Sequence, residues 1–213
     1  MAGITFTKIG SEETFNLNDV EIKNATGSDA DNTADQVLVW NPTTSAYTTF
    51  YKYFEAEYPE DEGWYDAGGD AEPVLDPGSA FWYRARSSAD KSITFAGAIE
   101  SADDVTVDLT AGNFNMTINP FPAAIDLNDN ATVTFTAATG SDADNTADQV
   151  LVWNPTTSAY TTFYKYFEAE YPEDEGWYDA GGDAEPQLPA GTAFWYRARS
   201  GAGKAITFPN PTK

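Results

Sequence analysis

ATGSDADNTADQVLVWNPTTSAYTTFYKYFEAEYPEDEGWYDAGGDAEP, residues 25–73, recurs without one substitution as residues 138–186, each residue returning 113 positions later. Repetition at a fixed period is the strongest organising signal a sequence can carry. Inside the repeated stretch, Gln36-Val37-Leu38-Val39-Trp40 is a nearly continuous apolar run that predicts a strand buried on both faces at its centre. Asn41-Pro42-Thr43-Thr44-Ser45-Ala46 supplies turn chemistry, and residues 47–54 then return as a β-branched and aromatic run. Period two puts Tyr47, Thr49, Tyr51 and Tyr53 on one face and Thr48, Phe50, Lys52 and Phe54 on the other. The stretch therefore predicts a β-hairpin, made twice.

Working outward, Ile4-Thr5-Phe6-Thr7-Lys8-Ile9 alternates as a short opening strand, with Asn113-Phe114-Asn115-Met116-Thr117-Ile118 as its counterpart. Only the second copy continues into Asn119-Pro120-Phe121-Pro122, where the prolines end the strand. Val20-Glu21-Ile22 and Val133-Thr134-Phe135 read as the next strands, and residues 55–72 as a long acidic loop carrying Trp64 and Tyr65. Ala80-Phe81-Trp82-Tyr83-Arg84-Ala85-Arg86 is a strand present in both copies, and Ser92-Ile93-Thr94-Phe95 and residues 205–208 close them. Residues 97–104 form a short linker. No stretch sustains a helical period. The expectation is an all-β chain of two homologous, tandem β-sandwich-like domains from an internal duplication, residues 1–98 and 99–213.

Eleven Lys+Arg against 34 Asp+Glu leave a net charge of −23 over 213 residues, which repels nucleic acid and anionic membranes alike. No apolar run reaches spanning length, so no membrane insertion is expected. Aromatic residues make up 15% of the chain in alternating patterns, which favours folding over disorder. With neither Cys nor His, disulfides, thiol chemistry, the usual zinc sites and His-based acid–base catalysis are excluded.

The order Val39-Trp40-Asn41 with Tyr47, then Gly63-Trp64-Tyr65-Asp66, then Phe81-Trp82-Tyr83-Arg84, resembles β-repeat units of large secreted bacterial surface proteins. In those, a segment like Leu109-Thr110-Ala111-Gly112-Asn113 leading to Asn119-Pro120-Phe121-Pro122 opens the repeat. The resemblance covers most of both copies, and the first lacks the Asn-Pro-Phe-Pro corner. Such repeats have no assigned enzymatic activity, and the resemblance implies an extracellular or cell-surface location and structural or adhesive use.

Three sets of residues invite chemistry. Asp29, Asp31 and Asp35, repeated as Asp142, Asp144 and Asp148, place carboxylates at alternate loop positions, as Ca2+ sites do; the competing reading is a turn that caps itself. Trp64, Tyr65, Trp177 and Tyr178 form either a platform on which sugar rings stack or part of the core. Ile4 and Phe6 at one end, and Ile206 and Phe208 at the other, alternate as strands free to complete a sheet in a neighbouring molecule. The arginines Arg84, Arg86, Arg197 and Arg199 read as partners for carboxylates and tyrosines. The dense carboxylates of residues 55–72 show no pairing of one buried with one solvated group, so a glycosidase is disfavoured. The expected function is a non-enzymatic extracellular structural protein that assembles with itself into a filament or surface layer. The alternative is a tandem carbohydrate-binding adhesin whose partner is a polysaccharide.

Overall fold

The computed structural model describes residues 2–4, 15–69, 73–75, 80–93, 104–182 and 186–211. Three short 3-10 turns apart, every element in them is a strand, so the chain is all-β. The first copy contains β1 (Ala2–Ile4), β2 (Phe15–Asn16), β3 (Ile22–Lys23), β4 (Gln36–Asn41), β5 (Ala46–Tyr53), β6 (Gly63–Asp66), β7 (Val74–Leu75), β8 (Phe81–Arg84) and β9 (Ser92–Ile93). The second contains β10 (Val105–Asp108), β11 (Phe114–Ile118), β12 (Ile125–Asp126), β13 (Thr134–Thr136), β14 (Gln149–Asn154), β15 (Ala159–Tyr166), β16 (Gly176–Tyr178), β17 (Gln187–Leu188), β18 (Ala193–Arg197) and β19 (Ala205–Phe208).

The repeated stretch folds alike in both places. Its hairpin pairs Gln36↔Tyr51 through Asn41↔Ala46, and 113 positions later Gln149↔Tyr164 through Asn154↔Ala159. Asn41 closes the turn by accepting from the Thr43 and Thr44 backbone N–H groups at 2.9 and 3.1 Å, and Ser45 takes a positive φ of 51°. The hairpin sits inside five-stranded sheets of matching order, β1-β8-β4-β5-β6 and β11-β18-β14-β15-β16.

One face of each sheet is core. Val37, Phe50, Trp64, Phe81 and Tyr83 point inward and pack with Leu17, Ile22 and Leu75. In the second copy Val150, Phe163, Trp177, Phe194 and Tyr196 pack with Val133, Ile206 and Phe208. Fully burying each such side chain stabilises the fold by about 1.5–3 kcal/mol.

Three expectations change. Residues 55–72 are more than a loop: β6 pairs with β5, Trp64 turning inward and Tyr65 outward. The acidic residues on both sides of this four-residue strand mask its alternation. The opening strand occupies a register four residues from the expected one, because Ala2 lies opposite Tyr83 as Asn115 lies opposite Tyr196. An even slip keeps every side chain on its face, so alternation alone cannot distinguish the two registers. Phe6 lies outside the described residues. The closing strand is not an edge: β19 pairs with β10 on one side and β13 on the other, with Ile206 and Phe208 fully buried. Its ladder is satisfied within the chain, which removes Ile206 and Phe208 as strands offered to a neighbour.

Candidate functional site

The second face of each five-stranded sheet carries the unusual chemistry. Period two turns Phe50 into the core and Tyr47, Thr49, Tyr51 and Tyr53 away from it. Directly opposed residues share a face, so Tyr65 joins Tyr51, Trp40 joins Tyr47, and Leu38 lies between Thr49 and Trp82. One end of this outer face is therefore Tyr51, Tyr53 and Tyr65; the other is Trp40, Tyr47 and Trp82. The second copy repeats it with Tyr164, Tyr166 and Tyr178, and with Trp153, Tyr160 and Trp195.

At the tyrosine end the rings meet edge to face, Tyr51–Tyr53 at 6.4 Å and Tyr53–Tyr65 at 6.0 Å, and the second copy repeats both distances. The Tyr53 hydroxyl donates to Glu55 Oε2 at 2.6 Å, as Tyr166 does to Glu168. That bond to a carboxylate, ahead of desolvation and the carboxylate's charge, pushes each of these phenols up to about 12. They remain neutral donors at any physiological pH.

At the tryptophan end the two copies meet each other. Trp40 packs edge-on against Trp195 at 5.1 Å, and Trp82 against Trp153 at 6.3 Å. Tyr47 also reaches Trp195, at 6.3 Å. Among the described residues two hydrogen bonds tie the faces: the Trp40 indole N–H donates to the Phe114 carbonyl at 2.7 Å, and Ser45 Oγ reaches Asn113 Oδ1 at 3.5 Å. Within the second face the Trp195 indole N–H donates to the Tyr160 hydroxyl at 3.2 Å.

Beneath each face lies a buried ion pair. Asp35 is wholly inaccessible and receives Lys91 Nζ at 2.8 Å, the Tyr83 hydroxyl at 2.6 Å, and the backbone N–H groups of Thr26 and Arg86. Burial alone would raise its pKa, but the Lys91 bond and then the other donors outweigh that and hold it below the ordinary carboxylate value. In the second copy Lys204 Nζ lies 2.7 Å from Asp148, which also accepts from Tyr196, Thr139 and Arg199. Burial, with the carboxylate beside it, drives the Tyr83 and Tyr196 phenols far above their ordinary value.

These geometries place the expected site residues. Asp29 and Asp31 are exposed while Asp35 points inward with its oxygens occupied, and likewise Asp142 and Asp144 against Asp148. No group of three acidic side chains gathers to hold a metal among the described residues. The loop instead closes on itself: Ser28 Oγ accepts from the Ala30 backbone N–H, and Thr33 Oγ1 donates to the Ala30 carbonyl. Trp64 and Trp177 are 2% and 1% exposed, so neither offers a ring to a sugar; Tyr65 and Tyr178 are half-buried on the outer face. Ile4 lies in β1, paired with β8.

Among the described residues the arginine side chains find neutral acceptors rather than the expected carboxylates. Arg86 donates to Gln36 Oε1 and the Ala34 carbonyl, and Arg197 sits 5.3 Å over the Phe114 ring. A cleft of about 680 Å³ beside Trp177 and Phe135 includes Lys165 and Glu175, which are paired at 2.9 Å. Sequence reasoning missed Trp40, Trp82, Trp153 and Trp195 as contact residues; their signal was period-two alternation opposite core residues. It also missed Lys91 and Lys204, which stand at the repeat spacing of 113 just beyond the identical stretch. No protein-family model, curated protein or solved structure matches the chain, so its functional reading rests on these residues.

Proposed function

We propose that this protein is a non-enzymatic structural protein of the extracellular space or cell surface, built as two tandem β-sandwich-like domains, residues 1–98 and 99–213, and assembling with itself. One observation carries the reading: the outer aromatic faces of the two copies are made of the same residues and are seated on each other. A face that binds its own duplicate is a self-association surface by construction, and chains whose paired faces open can exchange them for the same faces of neighbouring chains. Exact repetition of the hairpin fits this, since a contact between like faces needs the same side chains twice. The location follows from the resemblance to secreted surface repeats. Light scattering and electron microscopy of the purified protein over a range of concentration and salt test the proposal. Oligomers or filaments that grow with concentration are expected, and a monomer throughout would overturn it.

A second reading, a tandem carbohydrate-binding adhesin, is favoured by the paired tyrosine ends. Tyr51, Tyr53 and Tyr65 present half-buried rings beside carboxylates, twice per chain. Stacking on such rings needs no catalytic group. Polysaccharide binding that is lost in Tyr51→Ala plus Tyr164→Ala would support it.

A further inference from the structure

We propose that the outer face of the second copy is a docking surface for the same face of a second molecule, the two related by a twofold axis. Each Trp153 indole N–H then donates to the carbonyl of Phe114 of the partner subunit. This rests on the self-assembly reading and names its contact.

Within the chain the contact between copies is nearly reciprocal. Trp40 and Trp153 are equivalent at the repeat spacing, as are Trp82 and Trp195. The pairs Trp40–Trp195 and Trp82–Trp153 are therefore one contact made twice. Such reciprocity is the mark of a self-complementary surface.

The reciprocity fails at one point. Trp40 Nε1 finds the Phe114 carbonyl at 2.7 Å, and Ser45 finds Asn113; both acceptors belong to the start of the second copy's leading strand. Trp153 Nε1, the equivalent of Trp40 Nε1, is buried without a hydrogen-bond partner among the described residues. A buried donor without an acceptor is costly, and native structures rarely tolerate one.

A second copy of this chain carries the missing part. When two second-copy faces pair, the tryptophan contacts are those already seen, and Phe114 is present on both sides. Each Trp153 gains the acceptor that Trp40 has now. The released faces of the first copy still carry Trp40, Tyr47 and Trp82, so the same kind of contact can extend to a further molecule.

The experiment uses the full chain, which has no native cysteine, carrying Asn113→Cys and Ser158→Cys. Ser158 is the equivalent of Ser45, so in the twofold pair it faces Asn113 of the partner subunit. The two positions cannot bridge within one copy. Asn113 lies next to the Phe114↔Arg197↔Gln149 row and Ser158 beyond Asn154, five residues along β14, about 17 Å away. A disulfide-linked dimer that comprises most of the oxidised protein and is reversed by reductant is expected. Asn113→Cys with Ser45→Cys should instead lock the closed monomer and abolish assembly until reduced. If the protein assembles by light scattering but the 113/158 variant yields no linked dimer, the proposed contact is wrong and the self-assembly reading stands. If it stays monomeric at every concentration and salt, the self-assembly reading falls and the contact falls with it.

Discussion

Asp148 and Lys204 are 56 positions apart and meet with 0% and 1% of their side chains exposed; Asp35 and Lys91 meet at 0% and 7%. Burying both charges costs desolvation on each, which their attraction and the extra donors must offset. Removing one partner leaves the other charged and unpaired, so Asp35→Asn or Asp148→Asn is expected to destabilise its copy by about 3–5 kcal/mol. Denaturant unfolding followed by tryptophan fluorescence measures this, and a loss below about 1 kcal/mol would mean the pair is inessential. The sign of the pH dependence follows from Asp35. Its pKa is lowered on folding from an ordinary 3.8, so its contribution is complete above that value and disappears as pH falls through the lower, folded one. Melting temperature should therefore fall between about pH 5 and pH 1, and fall less steeply in Asp35→Asn.

The strands show which features a sequence can reveal. The hairpin of β4 and β5 was legible because apolar run, turn and alternation agree over residues 36–53, which divides its side chains between two faces without saying which one is the core. β6 was not, since four residues between acidic segments give too little period, and its place depends on pairing with β5. Nor was the role of the tryptophans. A ring facing away from the core reads the same whether water or a second sheet covers it, and only tertiary contact separates the two. The closing strand alternates as an edge strand would, yet it lies between β10 and β13. Its central position predicts that Ile206, fully buried, is needed for the fold and not for joining molecules. Ile206→Ala should cost about 2–5 kcal/mol in the second copy. Residual assembly should track the fraction folded; assembly lost while the copy remains folded would return β19 to the role of a joining strand.

Across the whole molecule, a charge of −23 opposes any approach of like copies, so association depends on screening before the aromatic faces can meet. The Debye length shrinks from about 8 Å at physiological ionic strength to about 3 Å at 1 M. The faces themselves join through tryptophan packing and neutral hydrogen bonds, which salt leaves intact. Assembly should therefore strengthen with NaCl, the reverse of what an interface held by ion pairs would show. Calcium separates general screening from a specific site. Asp35 and Asp148 are committed to lysines, and Asp29, Asp31, Asp142 and Asp144 stand exposed without a third carboxylate gathered beside them among the described residues. CaCl2 and NaCl matched in ionic strength should then give the same melting temperature and the same extent of assembly by light scattering. A rise specific to Ca2+ and reversed by chelator would show that the acidic loops rearrange around the ion, since a ligand that binds only the folded state must stabilise it.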